Sequence, residues 1–454
     1  MARTDERPPG RADDTTPDPP GRRPAGVAGP REFVAIVATC MAMAALSIDL
    51  MLPAFPEMRE AFGLEPGSTE VSLVITALFL GLAAGQLVYG PLSDRYGRKP
   101  LLYVGLAIYA VSAAAAAVMP TLTGVVICRV LWGLGAAAPR SLALAMIRDR
   151  FSGDHMARTM SHVMATFILV PVFAPSVGAA IMLVAPWRTV MWVPVVVACL
   201  LALWLRRLPE TLPPADRRSV APSALLEALR EVLRSRQTLA FGIAVTCLFG
   251  MMTSYVGSSE VIIDEVFGQG DLFPVIFGLL AVMLGLGSLL NARLVMRLGL
   301  LRVVRTFALY IVGVAGLLLV VAVATDGHPP LWAFCVCVAL LLPSVSLLTP
   351  NSNTLAMAPL PHVAGMAAAV LGTLSTAGGA VLGSIVDSAF DGSILPFAVC
   401  ALVYSSVAAG AILVLGRGAV TGASGARDGS AVPAGATPAG DGAGVLAVPG
   451  PSAT

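Results

Sequence analysis

GQLVYGPLSDRYGRKP, residues Gly85 to Pro100, closes an apolar run that begins near Val71 and turns into charge at Asp94, Arg95, Arg98 and Lys99. A second apolar run starts at once, at Leu101. This is the pattern of a helix that crosses a bilayer, turns tightly through a basic loop and re-enters. Gly90 and Gly97 are expected to supply a sharp turn and a close helix approach, and Asp94 sits where an exposed helix N-terminus could receive it.

Composition extends the reading to the whole chain. Its 454 residues are 57% hydrophobic and 12% charged, with a mean hydropathy of +0.83. A soluble domain carries about 25% charged residues, so an all-α integral membrane protein is expected. The net charge of +2 implies no nucleic-acid partner. All seven cysteines (Cys40, Cys128, Cys199, Cys247, Cys335, Cys337, Cys400) fall inside apolar runs, where thiols behave as small hydrophobes, so neither metal nor disulfide is assigned to them. Lys99 is the only lysine and Pro100 follows it, which excludes the Gly-Lys-Ser/Thr phosphate loop of an ATP-driven pump in this chain. The histidines (His155, His162, His328, His362) are scattered and form no HExxH motif, so no enzyme and no cofactor is expected.

Residues 1–32 are rich in Pro, Gly, Arg and Asp and read as a disordered cytoplasmic tail. The first apolar run, about Phe33 to Pro56, exceeds a signal-peptide core and lacks a cleavage site, so it is read as a retained helix. Further runs lie at about 71–91, 101–119, 122–147, 160–184 and 188–206, and six more at about 238–260, 272–294, 302–323, 331–353, 363–386 and 394–416. Each is near the length that crosses ~30 Å of hydrocarbon. Two six-helix halves follow, 33–207 and 238–416, joined by a linker over 208–237. In the linker, Ser223 to Arg234 has leucines at helical spacing with arginines opposite, an amphipathic helix for the inner membrane face. Residues 417–454, mostly Gly, Ala, Pro and Ser, read as a second disordered tail. With the N-terminus inside, the inner loops hold three, three, seven and four basic residues, whereas the outer loops hold only Arg59 and Arg188. The positive-inside rule then places both tails in the cytoplasm. Arginine in place of lysine, with abundant Ala and Gly, suggests a GC-rich bacterial genome and hence a bacterial cell membrane.

The halves also resemble each other. Gly287 to Gly299 has the length of Gly85 to Gly97 and places Arg297 as Arg95 is placed, but Met296 stands where the first copy has Asp94. Such internal duplication is a mark of secondary transporters.

A transporter driven by a proton gradient needs a group inside the membrane that can change protonation. Among the acids only Asp49 lies well inside a helix by this reading, where a carboxyl is either protonated or paired. The alternative is that the helix ends early and Asp49 caps it, with Pro53 and Pro56 marking the exit. Arg129 and Arg140 share the fourth run; a buried arginine must face a cavity, a carboxylate or backbone carbonyls, though Arg140 could instead snorkel. Pro171, Pro175 and Gly178 in the fifth run permit a bend and close packing at a rocking interface, or packing alone. Glu260 and Asp387 close the seventh and eleventh runs and are expected to meet outer water, with Glu260 a candidate for an outer vestibule. Phe79 and Tyr255 are candidates for the apolar wall of a substrate cavity.

Residues Gly90, Leu92, Asp94, Arg95, Gly97, Arg98 and Lys99 resemble the loop between the second and third helices of the major facilitator superfamily of secondary transporters. Arg129 with Gly133 and Gly135 resembles the fourth-helix motif of proton-coupled members, and LVPVFAPSVGAA resembles the antiporter motif of drug exporters, with Val170 and Ala179 at two of its glycine positions. Together with DLMLPAFP from Asp49, Arg148-Asp149, Trp187-Arg188, Leu208-Pro-Glu-Thr-Leu and Ser288-Leu-Leu-Asn-Ala-Arg, these point to the bicyclomycin and chloramphenicol resistance group of drug:proton antiporters, over about residues 33–416. The resemblance implies a monomeric exporter of small molecules. Asp49 would be its proton-responsive carboxylate and Arg129 its electrostatic partner. Asp94 would latch to the N-terminus of the eleventh helix near Gly365, with Arg98 and Asp149 completing a charge relay at the inner gate. Better-known members carry a second carboxylate two turns before the first, where Met41 stands here. Uptake, or transport of one metabolite such as a sugar, siderophore or self-made antibiotic, is the nearest rival reading, and a membrane sensor a more distant one.

Overall fold

A computed structural model describes residues 29–217 and 222–416; the expected tails fall almost wholly outside them. Among the described residues there is no strand, and twelve helical spans are long and apolar enough to cross a membrane. Each expected run corresponds to one span. The first half comprises α1 (Pro30–Asp49), α2 (Phe55–Ala61), α3 (Leu73–Tyr96), α4 (Arg98–Val118), α5 (Leu122–Arg150), α6 (Gly153–Met182) and α7 (Trp192–Trp204). The linker helix is α8 (Pro222–Arg234), one residue longer than the leucine spacing predicts. The second half comprises α9 (Arg236–Val261), α10 (Phe273–Leu298), α11 (Leu300–Ala324), α12 (Leu331–Met357), α13 (Ala364–Ser388) and α14 (Leu395–Gly410). An even number of crossings brings the loops rich in arginine to one end of the bundle, called the basic end below; the other is the far end.

Local chemistry sets the breaks. Gly97 and Gly299 both take a positive φ, +99° and +82°, and each turns one span directly into the next, α3 into α4 and α10 into α11. Only glycine adopts this backbone without strain. The turn is therefore duplicated even though Asp94 is not. Thr121 and Ser235 cap α5 and α9 by accepting hydrogen bonds from the amides of Gly124 and Thr238.

Without water to drive helices together, close backbone approach holds such a bundle. A methyl group on Gly81 would land on the Val130 carbonyl, and one on Gly133 on the Leu78 carbonyl, so α3 and α5 touch backbone to backbone. Gly105 and Gly135 do the same for α4 and α5. Gly90, expected to share this role, has open space where a side chain would be. In the second half Gly250, Gly379 and Gly383 bring α9 and α13 together. The halves meet along α3 and α13, where Thr373 donates to the Ala83 carbonyl at 3.0 Å, and along α6 and α10, where Gly278 sits against the Val172 carbonyl. Phe79 and Phe249 add an edge-to-face contact between halves, with centroids 5.1 Å apart.

Candidate functional site

The first span is broken where Asp49 stands. α1 ends at Asp49, a 3-10 turn covers Leu52–Ala54, and α2 continues the same span to Ala61. The helix does end early, yet Pro53 and Pro56 lie within the continuing span, and Asp49 is only 5% exposed. Its carboxyl has no hydrogen bond and no ion pair among the described residues. Met41, where relatives of the resembled group carry another acid, is buried in the core.

A helix that stops inside a protein leaves carbonyls without partners. Arg129 of α5 meets that need: it donates to the Ser47 carbonyl at 2.6 Å and to the Met51 sulfur, and lies 4.1 Å from the Trp132 ring centroid. A guanidinium suits this position, since a cation is favourable at a helix C-terminus. Ser47 and Tyr109 complete the cluster, their hydroxyls 2.7 Å apart. No hydrogen bond or ion pair joins Arg129 to Asp49; the arginine supports the backbone that carries the acid.

From the other side α6 closes in. It runs unbroken through Pro171 and Pro175, and Gly178 sits directly under the Leu50 carbonyl, where any Cβ would collide. The small residue of the fifth run thus packs on the residue next to Asp49.

The far end corrects two expectations. Glu260 and Asp387 are buried rather than exposed, at 2% and 3%. Glu260 is salt-bridged to Arg59 of α2, itself 5% exposed rather than in an outer loop, and the pair joins the halves. Asp387 accepts from the Ser258 hydroxyl and fills the space left by Gly257. Sequence length alone hid this, because the partners lie 201 and 129 positions apart. Glu260 does border a cleft of about 910 Å³ at this end, with Glu57, Asp264 and Asp271.

At the basic end Arg98 donates to Asp94 at 2.6 Å, to Asp149 at 3.0 Å and to the Ser93 hydroxyl. The relay residues are therefore together, but the latch is not: Asp94 bonds within its own half, and Gly365 is exposed with open space beside it. The carboxylate that does sit at a helix N-terminus is Glu210, from the LPETL segment. It accepts from the amides of Arg98 and Lys99 at 2.9 and 3.0 Å and so caps α4, while the Lys99 ammonium donates to the Leu208 carbonyl at 2.6 Å. Arg95 is exposed and rests on the Tyr96 ring.

Three cavity candidates remain. Phe79 belongs to the contact between halves already described. Tyr255 is buried and stacks on Phe277, and among the described residues its hydroxyl has no hydrogen-bond partner. Arg140 is half-buried and, among the described residues, has neither hydrogen bond nor ion pair. Among the described residues no group of three His, Cys, Asp or Glu side chains is placed to hold a metal.

Residues 37–383 match the family profile of the Major Facilitator Superfamily. The chain is 30% identical over 349 residues to the uncharacterized MFS-type transporter YdgK of Bacillus subtilis, covering 75% of this chain and 84% of that one. It is 27% identical over 343 residues to the bicyclomycin resistance protein homolog of Haemophilus influenzae, covering 75% and 85%. A match at 29% identity over 222 residues to the multidrug resistance protein MdtL of Escherichia coli covers 49% and 55%. The fold is shared with the xylose transporter XylE in a partially occluded inward open conformation, at a TM-score of 0.67 and 13% identity over 86% of this chain and 98% of that one. These matches bear out the resemblance read from the second loop and the fourth and fifth runs: the chain belongs to the Major Facilitator Superfamily of membrane transporters.

Proposed function

We propose that this chain exports amphipathic small molecules, drugs among them, in exchange for protons, and that Asp49 is the carboxyl that gains and loses the proton. The observation that carries this is a buried acid without a partner at a break in the first span, held in place by Arg129 and Gly178. An ionised carboxylate in such a site is costly, so proton and substrate compete to neutralise or replace that charge. Relatives named for bicyclomycin and multidrug resistance support the substrate class. The basic loops support an orientation with both termini in the cytoplasm of a bacterial inner membrane. In that orientation the Arg59–Glu260 pair joins the halves on the outer side, and on the cytoplasmic side Asp94 bonds within its own half rather than to Gly365. Rocking of the two halves, as a monomer and with no cofactor beyond the proton gradient, would expose the site alternately.

The test is growth of a pump-deficient bacterium expressing the chain or its Asp49→Asn variant, across neutral, cationic and zwitterionic antibiotics. Resistance to several compounds that disappears in the variant is expected. Resistance unaffected by Asp49→Asn would remove the carboxyl from the mechanism, and no resistance despite membrane expression would remove drug export.

A further inference from the structure

We propose that Arg140 is a binding site for the anionic group of the transported molecule, so that this protein selects amphipathic carboxylates and related anions over their neutral counterparts. The inference rests on the transport reading above and deepens it by naming a substrate class.

Arg140 stands eleven residues after Arg129 on α5. Three turns of helix bring the two to within about 20° of each other around the axis, on one face. Gly133 and Ala137 face α3, and Gly135 and Ala138 face α4; Arg129 faces α1. The Arg140 face therefore lies between the side of α5 that meets α1 and the side that meets α3, and away from α4. Arg129 spends its charge on a helix terminus. Arg140 has nothing.

The sequence around it offers no counter-charge. The stretches 33–48 of α1, 73–93 of α3, 122–148 of α5, 155–182 of α6, 236–259 of α9, 272–298 of α10, 331–357 of α12 and 364–386 of α13 contain no Asp and no Glu. From the level of Asp49 to the basic rim, the helices that face one another thus present a cation and no carboxylate. A guanidinium at such depth requires a partner, and it cannot be neutralised by losing its proton.

Escape to the membrane surface does not supply that partner. The basic rim of α5 begins at Arg148, about 12 Å further along the helix axis at 1.5 Å per residue. Side chains on a helix lean toward its N-terminus, which for α5 is the far end, so Arg140 leans into the bundle and away from the rim. What remains is a planar donor set that matches a carboxylate in two-point contact, on the basic side of the level of Arg129. A substrate bearing the negative charge would satisfy Arg140.

The experiment is direct binding of naphthylacetic acid and its methyl ester to the purified full-length chain, in a detergent free of phospholipid, so that no lipid phosphate competes for the guanidinium. Wild type is expected to prefer the acid. In Arg140→Gln the preference of acid over ester should fall about ten- to hundredfold, the range for one lost charge-assisted hydrogen-bonded contact, and Arg140→Lys should restore part of it. Acid and ester weakening together would show a structural role and overturn the proposal, as would an unchanged preference or a wild type that prefers the ester. The export reading is judged separately: resistance lost in Asp49→Asn stands whatever the acid does, and an Arg140-dependent preference stands even if no antibiotic is exported.

Discussion

Arg59 of α2 and Glu260 of α9 form an ion pair that is buried at both members and joins the two halves at the far end. Taking two charges from water costs several kcal/mol, offset only when both remain together. The closure is therefore strong while intact and is readily undone once water enters.

Removal of one partner should show this asymmetry. Arg59→Met leaves the Glu260 carboxylate buried alone and is expected to destabilise the protein by about 3–5 kcal/mol. Arg59→Met combined with Glu260→Leu should recover most of the loss. Unfolding of the purified variants in detergent checks both, and a single variant as stable as wild type would refute the pairing.

Arg129 is placed on a carbonyl rather than on Asp49, and a double-mutant cycle separates the two. Arg129→Gln should cost about 1–3 kcal/mol, since the Ser47 carbonyl then loses its charged donor. Adding Asp49→Asn should show a coupling well short of the several kcal/mol of a buried ion pair, because the two residues share the backbone between Ser47 and Met51 but no direct bond. A large coupling between them would restore the direct ion pair that the resemblance implies.

Glu210 caps α4 from a distant segment. Glu210→Ala should lower stability by about 0.5–2 kcal/mol, the usual cost of losing an N-terminal cap, and Glu210→Gln by less because an acceptor remains. Equal losses in the two variants would show that packing, not capping, holds the segment.

Glycines in one loop motif or helix pair need not be equivalent. Gly133→Ala puts a methyl group on the Leu78 carbonyl and should abolish a monodisperse elution profile in size-exclusion chromatography. Gly90→Ala meets open space and should elute as wild type does. The reverse order would invalidate the described α3–α5 packing.

The spans were legible because a bilayer demands some twenty apolar residues at a time, and the chain marks each run with basic loops or glycine turns. Asp49, Arg129 and Gly178 could be singled out because charge or proline inside such a run is costly. Their relationships could not. Whether Asp49 faces a cavity or caps a helix depends on a 3-10 turn that hydropathy does not encode, and the resemblance pairs Arg129 with Asp49 where the structure gives it a carbonyl, which leaves no trace in a sequence. Glu260 and Asp387 were placed in water since each closes an apolar run; burial came from Arg59, Ser258 and Gly257, which only folding brings near. Glu210 carried a signal in its LPETL context, but nothing in that segment says which helix it caps.

The linker is fastened at both ends. Glu210 and Arg217 lie against Gly97 on the first half, whereas α8 packs on α9 and α13, with Glu231 2.8 Å from His362. Arg217 and Pro222 are five residue steps apart, a reach of at most about 18 Å at full extension. A join so short binds the two halves at the basic end as a spine binds a book's covers.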